Sequence, residues 1–263
     1  MSGRKWGIIV FGDGMKRIRR VLVTLAAIAA AAALCWLLAR WRGLILYHDQ
    51  VDPQGWEVFG VDVSSYQGKV DWSLLKRQGV DFAFLKATEG SSLTDPCFAE
   101  NWAGAGEAGV LRGAYHFFSY DSPGESQARN FIAAVSAKDF SLPPVVDIEF
   151  YGTYLQEPKD RAEVLPILEE LLSALEEHYG CKPILYVTER SYQLYVRGAY
   201  EDYPLWVSMP VLAPVWHPWS FWQYSHTGKL QGYDGTQGHI DLNVFRGSMA
   251  ELEALCRPEQ GAA

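Results

Sequence analysis

The chain has 263 residues, 49% of them hydrophobic and 14% aromatic, enough apolar material for one large core, which excludes a disordered protein. Its charge is split. Positions 1–42 carry eight basic residues and one acid, whereas positions 43–263 carry 15 basic and 30 acidic residues, a formal net charge of −15 that repels nucleic acid and anionic lipid.

Residues 21–39, "VLVTLAAIAAAAALCWLLA", hold no charge. A helix of that length, at about 1.5 Å per residue, spans a hydrocarbon layer of roughly 30 Å. Arg4, Lys5, Lys16, Arg17, Arg19 and Arg20 precede the segment and only Arg40 and Arg42 follow closely. The positive-inside bias therefore predicts a cytoplasmic tail (1–20), a single-pass membrane anchor (21–39) and an extracytoplasmic remainder. The rival reading is a signal peptide cut after "AAA" at 31–33, which would release a secreted protein. The run "LCWLLARW" stays apolar past that point and favours the anchor. Leu34 stands before Cys35, where lipid attachment wants a small residue, so lipidation is not expected. A tether (40–57) follows; its residues 43–57 have a relaxed reach of only about 20 Å, which would keep the folded part close to the membrane.

From 58 to 263 short apolar runs alternate with helical stretches. The runs are "VFGVDVS" (58–64), "FAFLKAT" (82–88), "RGAYHFF" (112–118), "PPVVDIEF" (143–150) and "PILYVT" (183–188). In "DWSLLKRQG" Asp71 is a plausible N-cap and Gly79 marks the end; "SPGE" (122–125) reads as a capping box with Pro123 in the first helical position. "RAEVLPILEELLSALEEHYG" has helical periodicity and stops at Gly180, with Pro166 in its first turns or at a kink. Three further strands, "PLWVSM" (204–209), "SFWQYS" (220–225) and "HIDLNVF" (239–245), lack full helices between them. The expected architecture is α/β: a flattened, irregular TIM-like barrel of five strand-helix units plus three strands, with an open doubly wound sheet as the alternative.

In a parallel barrel the C-terminal strand ends form the open face, and Asp62, Asp147, Glu149 and Asp241 all fall at or near such positions. Asp147 and Glu149, two residues apart, point the same way. Two carboxylates on one buried face cost several kcal/mol unless they are paired or one keeps its proton. Lys86 and Arg112 are the candidate partners for a purely structural pairing. The functional reading is a protonated acid beside an ionised base, the equipment of glycoside hydrolysis. Tyr115, Trp206 and Trp222 are candidate sugar platforms, with core packing as the competing role.

Other motifs point nowhere. "GAGEAG" (104–109) matches the dinucleotide fingerprint, yet it follows a helix and precedes a strand, so it reads as a helix end and turn. The six histidines have no metal spacing, His116 reads as a hydrogen-bonded packing residue, and no G-x-S-x-G nucleophile elbow occurs. Cys97, Cys181 and Cys256 are odd in number and without C-x-x-C spacing, so neither a disulfide framework nor a zinc site is indicated; one bridged pair stays open.

The series "GVDVSSYQGKVDW", "FLKATEG", "GAYHFF", "PPVVDIE", "PILYVT", "PLWV", "FWQYS" and "GHIDLNVF" resembles the glycoside hydrolase family 25 lysozymes, muramidases that cut peptidoglycan. The resemblance implies a flattened barrel, Glu149 as general acid, Asp147 as its partner carboxylate, and Asp62 and Asp241 as the pocket's other acids. It also implies that Lys86, Tyr115 and Gln223 contact substrate, and that peptidoglycan is cut without metal or organic cofactor. After "LWV" the family usually places Ala and then, one residue on, an aromatic, where this chain has Ser208, Met209 and Pro210; Tyr151 or Tyr154 of "EFYGTY" are the alternative sources of that ring. A monomer is expected. A non-catalytic wall-binding barrel is the second functional reading.

Overall fold

Alternating side chains along each apolar run decide which residues fill a barrel and which cover it. In the computed structural model, which describes residues 12–41, 55–137, 141–210, 212–215 and 218–255, the chain divides into two compact units, Met1–His48 and Asp49–Ala263.

The first unit contains α1 (Gly12–Trp41), without Gly or Pro after its first turn and rich in alanine, the best helix former. Its stretch Lys16–Trp36 is long and apolar enough to cross a membrane, a test that a signal sequence also passes. The predicted apolar segment 21–39 lies inside this helix. Most of the predicted tether, residues 42–54, lies outside the described residues, as does Cys256.

The second unit runs β1 (Val58–Val63), α2 (Trp72–Arg77), β2 (Phe82–Glu89), β3 (Leu93–Thr94), α3 (Phe98–Glu107), β4 (Leu111–Phe117), α4 (Gly124–Ala134) and β5 (Val145–Ile148). A 3-10 turn (Gly152–Leu155), α5 (Arg161–Tyr179), β6 (Ile184–Thr188), α6 (Glu189–Ser191) and a π-helical turn (Tyr192–Val196) follow. The chain continues through β7 (Leu205–Ser208), β8 (Phe221–Gly228), β9 (Ile240–Phe245) and α7 (Met249–Ala254). The sheet order is β1-β9-β8-β7-β6-β5-β4-β2, and β1 also pairs with β2, Gly60 opposite Phe82 through Val63 opposite Leu85. That pairing closes an eight-stranded barrel and removes the open doubly wound sheet. Strand β9 runs antiparallel to both neighbours, and β3 is a short flap paired with the end of β2.

Two hydrophobic layers result. Inside the barrel, Phe82, Phe84, Val145, Ile184, Trp206, Phe221 and Phe245 form one cluster; the outer strand faces and the helices form the other. Glycine makes room for the inner rings: a Cβ on Gly60 would lie 2.4 Å from the Phe82 ring, and one on Gly113 would lie 2.7 Å from Phe84. This small-against-large alternation fills the lower barrel and leaves polar residues for the upper end.

Local signals hold in part. Asp71 accepts from the Leu74 N–H at 2.9 Å, and Gly79 takes φ +93 after the helix. "GAGEAG" is the end of α3 and its turn, with Gly109 at φ +70. Helix α5 ends at Gly180 in the left-handed region and carries Pro166 inside. The capping box at 122–125 does not form. Pro123 is itself the non-helical cap residue, and the Gly124 N–H is satisfied by Glu170 of α5 at 3.1 Å, so a tertiary carboxylate replaces the local one. The fifth unit also differs: β6 is followed by a three-residue helix and a π-helical turn rather than a full helix.

Candidate active site

The parallel strands carry their C-terminal ends to one side of the barrel, and the acids arrive there on three strands. Asp62 of β1 lies directly across from Asp241 of β9, and Asp147 of β5 sits between Phe117 of β4 and Tyr186 of β6. Glu149 follows β5, one side-chain period above Asp147.

Buried carboxylates need donors, and this site supplies them unevenly. Asp62 Oδ2 accepts from Gln223 Nε2 at 2.9 Å and from Asn243 Nδ2 at 2.8 Å, while Gln223 Nε2 also donates to Asp241 Oδ2 at 3.1 Å. The Trp206 indole N–H donates to Asn243 Oδ1 at 2.8 Å, and Tyr186 Oη donates to Gln223 Oε1 at 2.8 Å. An indole N–H can only donate, so the amide of Asn243 must turn its nitrogen to Asp62. In contrast, Asp147 is 6% exposed and its Oδ1 has no hydrogen-bond partner among the described residues.

The protonation pattern follows from that inventory. Burial, with the charge of Asp62 added, raises the Glu149 carboxyl to about 7, against the opposing pull of Lys86. Burial and the neighbouring Glu149 push Asp147 well above the carboxylate range, again opposed by Lys86. Asp62 rises only to about 6, because Asn243 and Gln223 hydrogen bonds partly offset its burial. The pair of Asp147 and Glu149 thus keeps a proton near neutrality that an ordinary carboxyl would lose. Tyr115 stands among all four acids; burial first, then their charges, hold its phenol well above its ordinary range.

Residues 61–233 match the family described as glycosyl hydrolases family 25. The chain belongs to that family. It is 35% identical to YegX of Escherichia coli (strain K12) over 211 residues, 77% of this chain and 75% of YegX. It is 33% identical to lysozyme M1 of Streptomyces globisporus over 217 residues, 75% of this chain and 71% of that one. The solved family 25 glycosyl hydrolase from Bacillus anthracis superposes with a TM-score of 0.75 at 43% identity, covering 81% of this chain and all (100%) of that one.

Within this family 25 hydrolase, Asp62, Asp147, Glu149, Asp241, Tyr115 and Gln223 come together at one end of the barrel. Lys86 joins them: its Nζ pairs with Glu89 Oε2 at 2.7 Å, lies 4.6 Å from the Phe117 ring centre and bears on both Asp147 and Glu149. Arg112 does not face the acids. It hydrogen-bonds the Trp102 carbonyl and stacks on the Trp102 ring, on the outer side of β4.

The two tryptophans are core residues, a correction to their reading as sugar platforms. Trp206 points inward but is 2% exposed, beneath Asn243 and against Phe84 and Tyr186. Trp222 points outward, because alternation along β8 puts Phe221 and Gln223 inside, and its indole donates to the Met209 carbonyl. Trp222→Ala should therefore cost about 3 to 5 kcal/mol of stability. Denaturant unfolding would measure this, while KM of the folded fraction stays at the wild-type value.

Tyr151 lies beside Phe117, 5.4 Å between ring centres, and Tyr154 packs on Tyr151 at 5.6 Å and on Tyr120 at 5.1 Å. His116 is the packing residue expected. Its Nε2 meets Gln127 Oε1 at 3.0 Å, its Nδ1 meets Thr88 Oγ1 at 2.8 Å, and burial pushes it down to about 4.

Asn243, Tyr186 and His226 also belong to the site. Asn243 had a signal, lying two residues beyond Asp241 on the same strand. Tyr186 looked like an apolar strand residue. His226 had none, because β8 is bulged between Gln223 and Ser225 and again before Gly228, which breaks the alternation used to assign faces.

Proposed function

We propose that this family 25 hydrolase is a muramidase that cleaves the β-1,4 bond between N-acetylmuramic acid and N-acetylglucosamine in peptidoglycan, with Glu149 as the acid and Asp147 as its partner. The observation that carries this reading is the pairing of a carboxyl raised to about 7 with a buried carboxylate oxygen that has no donor of its own. Relatives named as lysozyme and N,O-diacetylmuramidase support the substrate class.

Glu149 gives its proton to the bridging oxygen as the bond from that oxygen to the anomeric carbon breaks. The muramic acid 2-acetamido carbonyl oxygen attacks the same carbon from the opposite face, a substrate-assisted route. Asp147 Oδ1 accepts the acetamido N–H, a donor it lacks in the free protein; that bond favours its ionised form, leaves the pair's proton on Glu149 and lets the Asp147 charge balance the positive ring so formed. Water, deprotonated by Glu149, then opens the ring and restores the acid. The product is first released as the β-anomer, which NMR of a fresh digest detects; an α-anomer first would instead mean that Asp147 activates water with inversion.

A non-catalytic glycan-binding barrel has no use for buried acids that burden the fold at neutral pH. Reducing ends released from purified peptidoglycan separate the two: a binder releases none. The hydrolase acts as a monomer, which gel filtration checks. Helix α1 serves as an uncleaved anchor with the N-terminus in the cytoplasm, supported by its unbroken apolar stretch and the basic residues before it. Cell fractionation with mass spectrometry of the mature N-terminus tests this; a soluble extracellular form starting near Leu34 overturns it.

A further inference from the structure

Gln223 is 1% exposed and uses its whole hydrogen-bonding capacity. Its two amide N–H groups go to Asp62 and Asp241, and its oxygen faces Tyr186 Oη at 2.8 Å and His226 Nε2 at 2.9 Å. His226 Nε2 also lies 2.9 Å from Ser208 Oγ. The groups facing the amide are thus Asp62 of β1, Tyr186 of β6, Ser208 of β7, His226 of β8 and Asp241 of β9.

Because the Gln223 oxygen is an acceptor, the His226 nitrogen that touches it must carry the hydrogen. We propose that His226, as its Nε2–H tautomer, is a positioning residue that keeps the Gln223 amide turned so that both its N–H bonds fall on Asp62 and Asp241. Turned the other way, the amide oxygen would face two carboxylate oxygens and its nitrogen would face two donors. That flipped state becomes self-consistent only when Asp62 and Asp241 take up protons and His226 Nε2 gives up its own. An imidazole that donates from Nε2 opposes both changes, and so keeps the two acids ionised beside Glu149. The hold survives acidification, since a cationic imidazole carries hydrogen on both nitrogens and can only donate. The bulges in β8 turn His226 to this position.

The consequence for turnover rests on the muramidase reading above; the tautomer does not. His226→Leu should move the acid limb of the kcat/KM profile up by about 0.5 to 1 pH unit, the size of one hydrogen bond to a neutral acceptor. His226→Gln, whose amide nitrogen reaches the Nε2 position, should return the limb to its wild-type place. Thermal unfolding of both variants shows whether the fold is kept. A His226→Leu profile that coincides with wild type, or a His226→Gln profile that coincides with His226→Leu, overturns the proposal. Imidazole 15N shifts of the full chain give a readout independent of activity. Nε2 protonated at neutral pH is expected, and an Nδ1–H tautomer overturns the proposal even in an active enzyme. Wild type that releases no reducing ends would sink the muramidase reading and leave the tautomer result standing.

Discussion

Glu149→Gln should lower kcat by about 10²- to 10⁴-fold while binding to peptidoglycan survives, because the amide keeps the shape of the acid and lacks its proton. Reducing-end release and a pull-down on purified wall measure the two quantities. The pH profile sharpens the assignment. With Glu149 raised to about 7, wild-type kcat/KM falls above that pH as the acid loses its proton, and falls below about 6 as Asp62 takes one up. The residual activity of Glu149→Gln should lack the alkaline limb. If the variant keeps near-normal turnover, Asp62 or Asp241 supplies the proton instead.

The same substitution should stabilise the fold at neutral pH. A carboxyl raised from its ordinary 4.5 to about 7 adds stability that is fully present below 4.5 and lost as pH rises through 7. Removing the charge relieves a burden on the order of 2 kcal/mol at pH 8. Denaturant midpoints of wild type and Glu149→Gln should separate at pH 8 and converge near pH 4. Equal midpoints at both pH values would mean that Glu149 is not held in an apolar setting.

Asp147→Asn is expected to reduce kcat by about 10²- to 10³-fold with little change in KM, since a neutral side chain in this position no longer balances the positive ring that forms after bond cleavage. Its stability effect has the same sign as that of Glu149→Gln, because burial and the neighbouring Glu149 push Asp147 upward. Stopped digests analysed by NMR add a separate test. If Asp147 steadies the acetamido group, the variant slows release without changing which anomer appears first. A change of anomer would show that Asp147 acts on water.

Much of this protein was legible as a string. The strand-helix alternation and the acids near strand ends depend on short-range signals: side chains two apart share a face, which pairs Asp147 with Glu149, while Asp62 and Asp241 stand near strand ends and join the pocket through the family resemblance. The apolar stretch in α1 needed only composition and length. What the chain could not announce depends on contacts far apart in sequence. Closure of the barrel rests on β1 meeting both β2 and β9, a pairing across the whole folded unit. The fate of the aromatics turned on which face of a closed barrel they occupy, so Trp206 became the donor beneath Asn243 and Trp222 joined the outer layer. The cap of α4 passed from a local serine motif to Glu170, 46 residues away. The donors to Asp62, Gln223 and Asn243, and the groups that hold the Gln223 oxygen, Tyr186 and His226, were decided by strand register and by two bulges in β8. A bulge shifts every later side chain to the other face, and period-two reading has no means of placing it.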